Sequence, residues 1–219
     1  MSFLTVMELL PLLGAVLIAT VNKDKEDAIK KMAFLTTLIV AVAGIALALQ
    51  FDRNDAGLQF VEKHSWIPAF GINYAVGIDG IALVLILMSV ILAPIVVLAG
   101  WNEATGGRWS VKTFYILILI LETMMIGVFA ATDVFLFYVI FEAMLIPVYF
   151  LIGGYGRGER AAAALKFLLY SLFGGLLMLA ALIGTYIIST NQADGTFDIT
   201  KLSQLTIDST TQNWLFLGF

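Results

Sequence analysis

Six long apolar runs constrain the fold of this 219-residue chain more than any other feature. They cover residues 3–21, 32–51, 80–101, 113–131, 133–153 and 165–190. A helix needs about 20 such residues to cross the roughly 30 Å of hydrocarbon in a bilayer. The runs lack the alternation of a barrel strand, and in lipid an open strand would leave its backbone groups unpaired. The sequence therefore predicts an all-α, polytopic bundle of about six transmembrane helices.

Composition agrees with a chain that has lipid as its solvent. The chain is 61% hydrophobic and 13% charged, against about 45–50% and about 25% in soluble domains. A net charge of -4 excludes nucleic acid as a partner, because phosphate binding needs clustered Lys and Arg. Without cysteine, the chain cannot hold an iron–sulfur cluster or a Cys zinc site. We therefore expect no cofactor and no metal in this chain.

The two ends of the sequence bear on how much of a protein it represents. The first apolar run is followed, not preceded, by lysines, which indicates a retained span rather than a cleaved signal. The last residues, from 213 onward, are apolar, without a cap and too few to span. They predict the start of a seventh span. We expect residues 1–219 to form a single transmembrane domain that is the N-terminal part of a longer protein.

The basic residues predict the orientation in the membrane. Nine of the 12 lie after the first, third and fifth runs and thus share one side of the membrane. The three others, Arg53, Lys63 and Lys201, lie on the opposite side among acidic residues. Since positive loops face the cytoplasm, we expect a multi-pass protein of a cell membrane with its N-terminus outside. In the outer segment 52–79, rough alternation at 58–61 and 72–76 predicts a hairpin on the membrane surface.

Glu142 is the ionisable residue that most invites a functional hypothesis. It lies near the centre of the fifth run, where a charge costs from about 2.5 to more than about 10 kcal/mol. Desolvation there favours the neutral acid, so a nearby charge change could load or release a proton. Pro147 breaks the hydrogen bonding of the helix beside it, because it has no N–H for the carbonyl of Ala143. A proton relay at Glu142 is one interpretation, and a permanently protonated, hydrogen-bonded acid is the other.

Two further residues, Glu122 and Lys166, have both a functional and a structural interpretation. Glu122, in the middle of the fourth run, is a candidate relay that could pair with Glu142, or a protonated interhelical hydrogen bond. Lys166 is a candidate cation at a proton entrance, or a stem that reaches the interface. Glu8 is interpreted as an interfacial carboxylate without a role. Gly174 and Gly175 are typical of close helix packing.

Four segments carry a resemblance to a known family. Residues 133–153 (DVFLFYVIFEAMLIPVYFLIG) resemble the fifth helix of chain M of bacterial NADH-quinone oxidoreductase, the counterpart of mitochondrial subunit 4. Residues 163–179 (AALKFLLYSLFGGLLML), 77–83 (GIDGIAL) and 212–219 (QNWLFLGF) resemble its sixth helix, the start of its third and the opening of its seventh. The resemblance covers the whole chain and about half of a family member.

The resemblance implies an antiporter-like fold and a proton-translocating subunit of respiratory complex I. In that family a fifth-helix glutamate, matched here by Glu142, pairs with a seventh-helix lysine that has no position in this sequence. The resemblance implies partners among the other membrane subunits. It also implies that NADH, flavin, iron–sulfur clusters and quinone are bound by other subunits. Glu122 matches no motif of the family. A multi-subunit cation/proton antiporter or a membrane hydrogenase shares the helix pattern and remains the alternative.

Overall fold

A computed structural model describes residues 3–104, 108–192 and 195–219, and it is mainly helical. In chain order its elements are α1 (Phe3–Thr20), α2 (Glu26–Gln50), β1 (Gln59–Ile67), β2 (Ile72–Ile78), α3 (Gly80–Ala99), α4 (Val111–Ala130), α5 (Val134–Tyr155), α6 (Arg160–Gln192), α7 (Ile199–Leu202) and α8 (Ser209–Gly218). Within these residues six helices, α1 to α6, are long and apolar enough to cross a membrane. The predicted fold class is confirmed.

Two helices begin well before the apolar run that predicted them. α2 begins at Glu26, six residues earlier, and its acidic first turn complements the positive end of the helix dipole. α6 begins at Arg160, five residues earlier, because residues 161–164 are all alanine, the strongest helix former. Lys166 therefore lies inside the second turn of α6 and not at its start. Hydropathy marks the apolar part of a helix, whereas propensity and caps set its ends.

The helices pack in a chain of neighbours around two buried clusters. α1 and α3 each pack against α2 and α4. On the other side of α4, α5 packs against α4, α6 packs against α5, and α8 packs against α6. The cluster near the start of α1 contains Leu4, Met7, Val40, Val76, Ile78, Ile86, Val90 and Ile126. The cluster near its end contains Ala15, Ile18, Ile29, Ala33, Val97, Tyr115 and Leu119. Most of the apolar surface of α6 remains exposed.

The predicted hairpin is confirmed and is longer than the pattern indicated. β1 and β2 pair antiparallel, with Glu62 opposite Val76 and His64 opposite Tyr74. Between them lie a single 3-10 turn, Pro68–Phe70, and Gly71 with a left-handed φ of 68°. Only glycine adopts that conformation without strain. We call the end of the bundle that carries this hairpin the hairpin face, and the other end the opposite face.

Backbone hydrogen bonds tie the hairpin to the start of α5. The Thr132 amide donates to the Ala75 carbonyl at 2.9 Å, and the Ile199 amide donates to the Thr132 carbonyl at 3.0 Å. Asp133 is buried and caps α5, because its Oδ1 accepts from the amides of Phe135 and Leu136. Its Oδ2 accepts from the amide of Asn73 at 3.0 Å. The α4–α5 turn is thus fixed by the hairpin, which sets where α5 begins.

α5 runs through Pro147 without ending. The helix is continuous from Val134 to Tyr155 and contains Pro147 as a buried residue. The effect of the proline is therefore confined to the missing N–H and does not divide the span. Glu142 thus lies on the same continuous helix as the capped start at Asp133.

Candidate functional site

Glu142 lies between α5 and α6 with its carboxylate against a glycine. Its Oε1 is buried and has no hydrogen-bond partner among the described residues. A Cβ added to Gly175 of α6 would overlap that oxygen and would lie 2.5 Å from the carboxyl carbon. Gly175 therefore leaves the space that the carboxylate occupies. A partly buried acid whose inner oxygen has no fixed partner is able to take up or release a proton when its surroundings change.

A cavity of ≈ 440 Å³ adjoins this contact. It lies between α5 and α6 and is lined by Gly175, Gly174 and Phe141, the residue before Glu142. Its one hydroxyl comes from Ser171, one helical turn before Gly175 on the same face of α6. The cavity thus offers one polar group within a mostly apolar wall next to Glu142.

The structure does not bring Lys166 to Glu142. Lys166 is exposed and precedes Gly175 by nine residues on α6. That spacing is two and a half helical turns, about 13 Å along the axis, and places the two residues on opposite faces of the helix. The geometry favours the interpretation of Lys166 as a stem that reaches the interface.

Glu122 faces a different neighbour from Glu142. It is 4% exposed, and both of its carboxylate oxygens lack a hydrogen-bond partner within the described residues. It lines a cavity of ≈ 430 Å³ bordered by Ser89 of α3, Phe114 of α4 and Leu151 of α5. Since Glu142 faces α6, the structure places the two candidate acids toward different helices. Among the described residues, no hydrogen bond joins the two side chains.

Glu8 is the residue that the sequence analysis missed. It is 8% exposed, and the hydroxyl of Tyr74 donates to its Oε2 at 2.9 Å. The position of Glu8 at the membrane interface stays a prediction, but β2 and Gly127 of α4 cover the side chain. The signal that could have identified it lies in the predicted hairpin, where Glu62, His64 and Tyr74 place polar groups within reach of α1.

The described residues offer no cluster of three His, Asp or Glu side chains that could hold a metal ion. The titratable groups of the site are therefore carboxylates, hydroxyls and one imidazole. Such groups can act as proton donors and acceptors.

A family model described as "NADH:quinone oxidoreductase/Mrp antiporter, TM" matches residues 131–219. This segment includes Glu142, Pro147 and Gly175. Together with the bundle of six apolar helices, the match defines the class. The matched segment, residues 131–219, belongs to this family of antiporter-like membrane subunits.

Particular members of the family are similar over the whole chain. NADH-quinone oxidoreductase subunit M of Mycobacterium tuberculosis (strain CDC 1551 / Oshkosh) is 41% identical over 99% of this chain and 45% of its own length. The subunit M of Rhodobacter capsulatus is 36% identical over 100% of this chain and 41% of its own length. The chain thus spans less than half the length of the curated relatives it matches.

A solved structure supports the same assignment. A chain of the respiratory complex I from Thermus thermophilus with bound NADH superposes with a TM-score of 0.81 and 27% identity, over 98% of this chain and 42% of that chain. The resemblance predicted from the fifth and sixth helices is confirmed.

Proposed function

We propose that this chain is part of a proton-translocating subunit, of the chain M type, of a bacterial NADH-quinone oxidoreductase. The similarity to proteins named subunit M over the whole chain supports this proposal. The chain acts within a complex whose other subunits bind NADH, flavin, iron–sulfur clusters and quinone. Residues 1–219 act as one transmembrane domain in the plasma membrane, with the N-terminus outside the cytoplasm, as the distribution of basic residues favours.

The unpartnered carboxylate of Glu142 is the observation that carries the proposal. It lies inside a membrane-spanning helix, next to a proline and against a glycine of the neighbouring helix. Burying an acid in this way costs free energy, so intramembrane carboxylates usually mark ion or proton pathways.

The proposed mechanism is electrostatic. A charge that approaches Glu142 favours its ionised form and drives the proton away, and a charge that withdraws favours the neutral acid. The carboxylate therefore loads and releases one proton in each cycle. Quinone reduction elsewhere in the complex supplies the free energy. Ser171, which lines the adjoining cavity, is placed to pass a proton toward or away from Glu142.

We assign Glu122 and Lys166 subordinate roles in this proposal. Glu122 is a second buried acid, and the cavity that it lines is bordered by α3, α4 and α5 and not by α6. Lys166 lies on the outer face of α6 and influences Glu142 only at long range. We assign the relay to Glu142 because it contacts Gly175 of α6 and matches the fifth-helix glutamate of the resembled family.

Replacement of Glu142 by glutamine tests the proposal. Glu142→Gln keeps the size and the hydrogen-bonding groups of the side chain but cannot titrate. In vesicles containing the full-length protein and energised with NADH, acidification should be lost or sharply reduced at matched complex content. Glu142→Asp, shorter by one methylene, should retain part of the activity. Glu103→Gln is the matched control, because Glu103 is an exposed acid paired with Arg157 at 2.9 Å. Wild-type pumping by Glu142→Gln would show that this residue carries no protons.

A multi-subunit cation/proton antiporter, or a membrane hydrogenase, is the second candidate, since the family description also names the Mrp antiporter. The same vesicles distinguish the classes. Proton uptake that requires NADH and quinone supports the first proposal, whereas exchange driven by a sodium gradient without NADH supports an antiporter.

A further inference from the structure

Five side chains form a continuous polar chain between α1 and the surface of the hairpin. Tyr74 donates to Oε2 of Glu8 at 2.9 Å, and the oxygens of Tyr74 and Thr5 lie 3.4 Å apart. Thr5 donates to Oε2 of Glu62 at 2.6 Å, and Oε1 of Glu62 lies 2.8 Å from Nε2 of His64. Glu8 and Thr5 are buried, Tyr74 and Glu62 are partly buried, and the imidazole of His64 is 66% exposed.

We propose that Glu8 is a proton-binding site that exchanges with the water at the hairpin face through Tyr74, Thr5, Glu62 and His64. The use of this path in pumping rests on the proposed function, but its existence does not. The path lies at the start of α1, remote in sequence from the relay at Glu142. It would give the subunit a separate proton port on its outer side.

The donor directions define how a proton leaves. Protonated Glu8 donates to Tyr74, the Tyr74 hydroxyl turns toward Thr5, and Thr5 already donates to Glu62. In one shift, each O–H bond of Glu8, Tyr74 and Thr5 breaks as a new O–H bond forms on the next oxygen. Glu8 loses one proton, Glu62 gains one, and both hydroxyls are restored. The Glu62 carboxyl then turns and passes the proton to Nε2 of His64, from which water takes it. Uptake is the reverse.

Tyr74 acts in this path as a hydroxyl and not as a phenolate. Burial, followed by the negative charges of Glu8 and Glu62, raises the pKa of Tyr74 to about 12. The phenol thus keeps its proton at neutral pH, so it transmits a proton only by receiving one as it gives one away. Replacing it by phenylalanine removes both steps.

The other elements near the path contribute the following groups. α4 faces Glu8 with Gly127, where an added Cβ would lie 2.6 Å from Oε1 of Glu8. The charged residues of α2 lie in its first turns, at the opposite face. On the hairpin face, Lys63 binds Asp198, Asp79 caps α3 and Asp133 caps α5.

A β-bulge directs Glu62 toward α1. The register of the strands is irregular between Gln59 and Glu62, and Phe60 adopts a φ of 53°. Such bulges re-aim side chains and often lie beside functional sites. The strain of a non-glycine residue at positive φ is of order 1–3 kcal/mol. The backbone strain therefore lies at Phe60, two residues before Glu62, whose side chain accepts the hydrogen bond from Thr5.

Infrared difference spectroscopy of the full-length protein in its purified complex tests the path. The band of the protonated carboxyl that is lost in Glu8→Gln identifies Glu8, and its response to a rapid pH step gives the exchange rate. Thr5→Val and Tyr74→Phe should each slow that response by about tenfold or more, which corresponds to about 1.4 kcal/mol of added barrier. Thr5→Ser, which keeps the hydroxyl, should restore it.

Two matched controls separate the path from a general loss of hydroxyl groups. Thr185→Val removes a threonine that bonds to its own helix, and Tyr155→Phe removes a tyrosine that donates to the Ser110 carbonyl at 2.7 Å on the opposite face. Both should leave the Glu8 response unchanged. If the hydrogen bonds only dock the hairpin, Thr5→Val weakens the protein but leaves the exchange rate unchanged.

The outcome is independent of the proposed function. A Glu8 response at the wild-type rate in Thr5→Val, or no Glu8 band at any pH step, overturns the path. A path that persists while Glu142→Gln pumps normally overturns only the proposed relay at Glu142. Because Thr5→Val and Tyr74→Phe interrupt the path at different residues, either variant alone decides the question if the other fails to assemble.

Discussion

Gly175 and Gly174 offer a matched test of whether the position of Glu142 matters, without altering any titratable group. A Cβ added to Gly175 meets the Glu142 carboxylate, whereas a Cβ added to Gly174 meets nothing within 4 Å. Both substitutions add one methyl group to the same helix, and both gain the same helix propensity, about 0.8–1.0 kcal/mol for Gly→Ala. The two variants differ only in the contact with Glu142.

The structure sets the size of the displacement. The new Cβ in Gly175→Ala lies 2.5 Å from the carboxyl carbon of Glu142, whereas carbon atoms pack at about 3.5–4.0 Å. The carboxyl group must therefore retreat by about 1 Å. Because it ends a flexible side chain, it moves at a cost of about 0.5–1.5 kcal/mol for an off-rotamer torsion, and the helices stay in place.

A displacement of this size affects proton transfer far more than stability. A reacting group that is misplaced by about 1 Å can lose about 100-fold in rate. We therefore expect Gly175→Ala to assemble near the wild-type level and to pump protons at least about tenfold more slowly. Gly174→Ala should both assemble and pump like the wild type.

The assay uses membrane vesicles from cells that carry each variant in the full-length protein. NADH oxidation and acidification are measured together, and both are normalised to complex content. If Gly175→Ala and Gly174→Ala pump equally well at equal content, the position of the Glu142 carboxylate does not limit proton transfer, and the argument from the α5–α6 contact is refuted.

Two further predictions concern the membrane orientation and the hairpin face. A cysteine at Ala56 should react with an impermeant thiol reagent added to intact cells, while one at Glu159 should react only in inverted vesicles; the reverse pattern overturns the orientation. Burial alone would raise the pKa of Asp198, but hydrogen bonds from Thr200 and Lys63, with the charge of Lys63, hold it below its ordinary value. This contribution to stability is full above the unfolded pKa, near about 4, and is lost as the pH falls through the lower folded pKa. Asp198→Asn should thus lower the free energy of unfolding by less than about 1 kcal/mol, equally at neutral and mildly acidic pH. Thermal unfolding measures this difference. A destabilisation that grows as the pH falls would contradict the prediction.

The sequence predicts the spans well because apolar length is a property of each segment alone. It also identifies Glu142 as an acid inside a span, since the position of a charged residue within an apolar run can be seen without knowing which helices pack beside it. It misses Glu8, whose burial depends on a strand more than 60 residues away along the chain. It also leaves open a pair of Glu122 and Glu142, because adjacent antiparallel helices allow contact. The rotation of each helix about its axis decides which neighbour a side chain faces. That rotation follows from packing between helices, and the pattern within one helix does not encode it.

Glu8 and Glu142 share a local arrangement that helps to explain why acids are tolerated at these positions. Each carboxylate lies against a glycine of the neighbouring helix, Gly127 of α4 for Glu8 and Gly175 of α6 for Glu142. A glycine leaves room for a carboxyl group between closely packed helices, where any larger residue would force it out of the contact. The two sites differ in what satisfies the oxygens: Tyr74 donates to Glu8, whereas Oε1 of Glu142 is unpartnered within the described residues. Both carboxyl groups thus lie in space that a glycine leaves open, and they differ in that only Glu8 has a hydroxyl within hydrogen-bond distance that can exchange a proton with it.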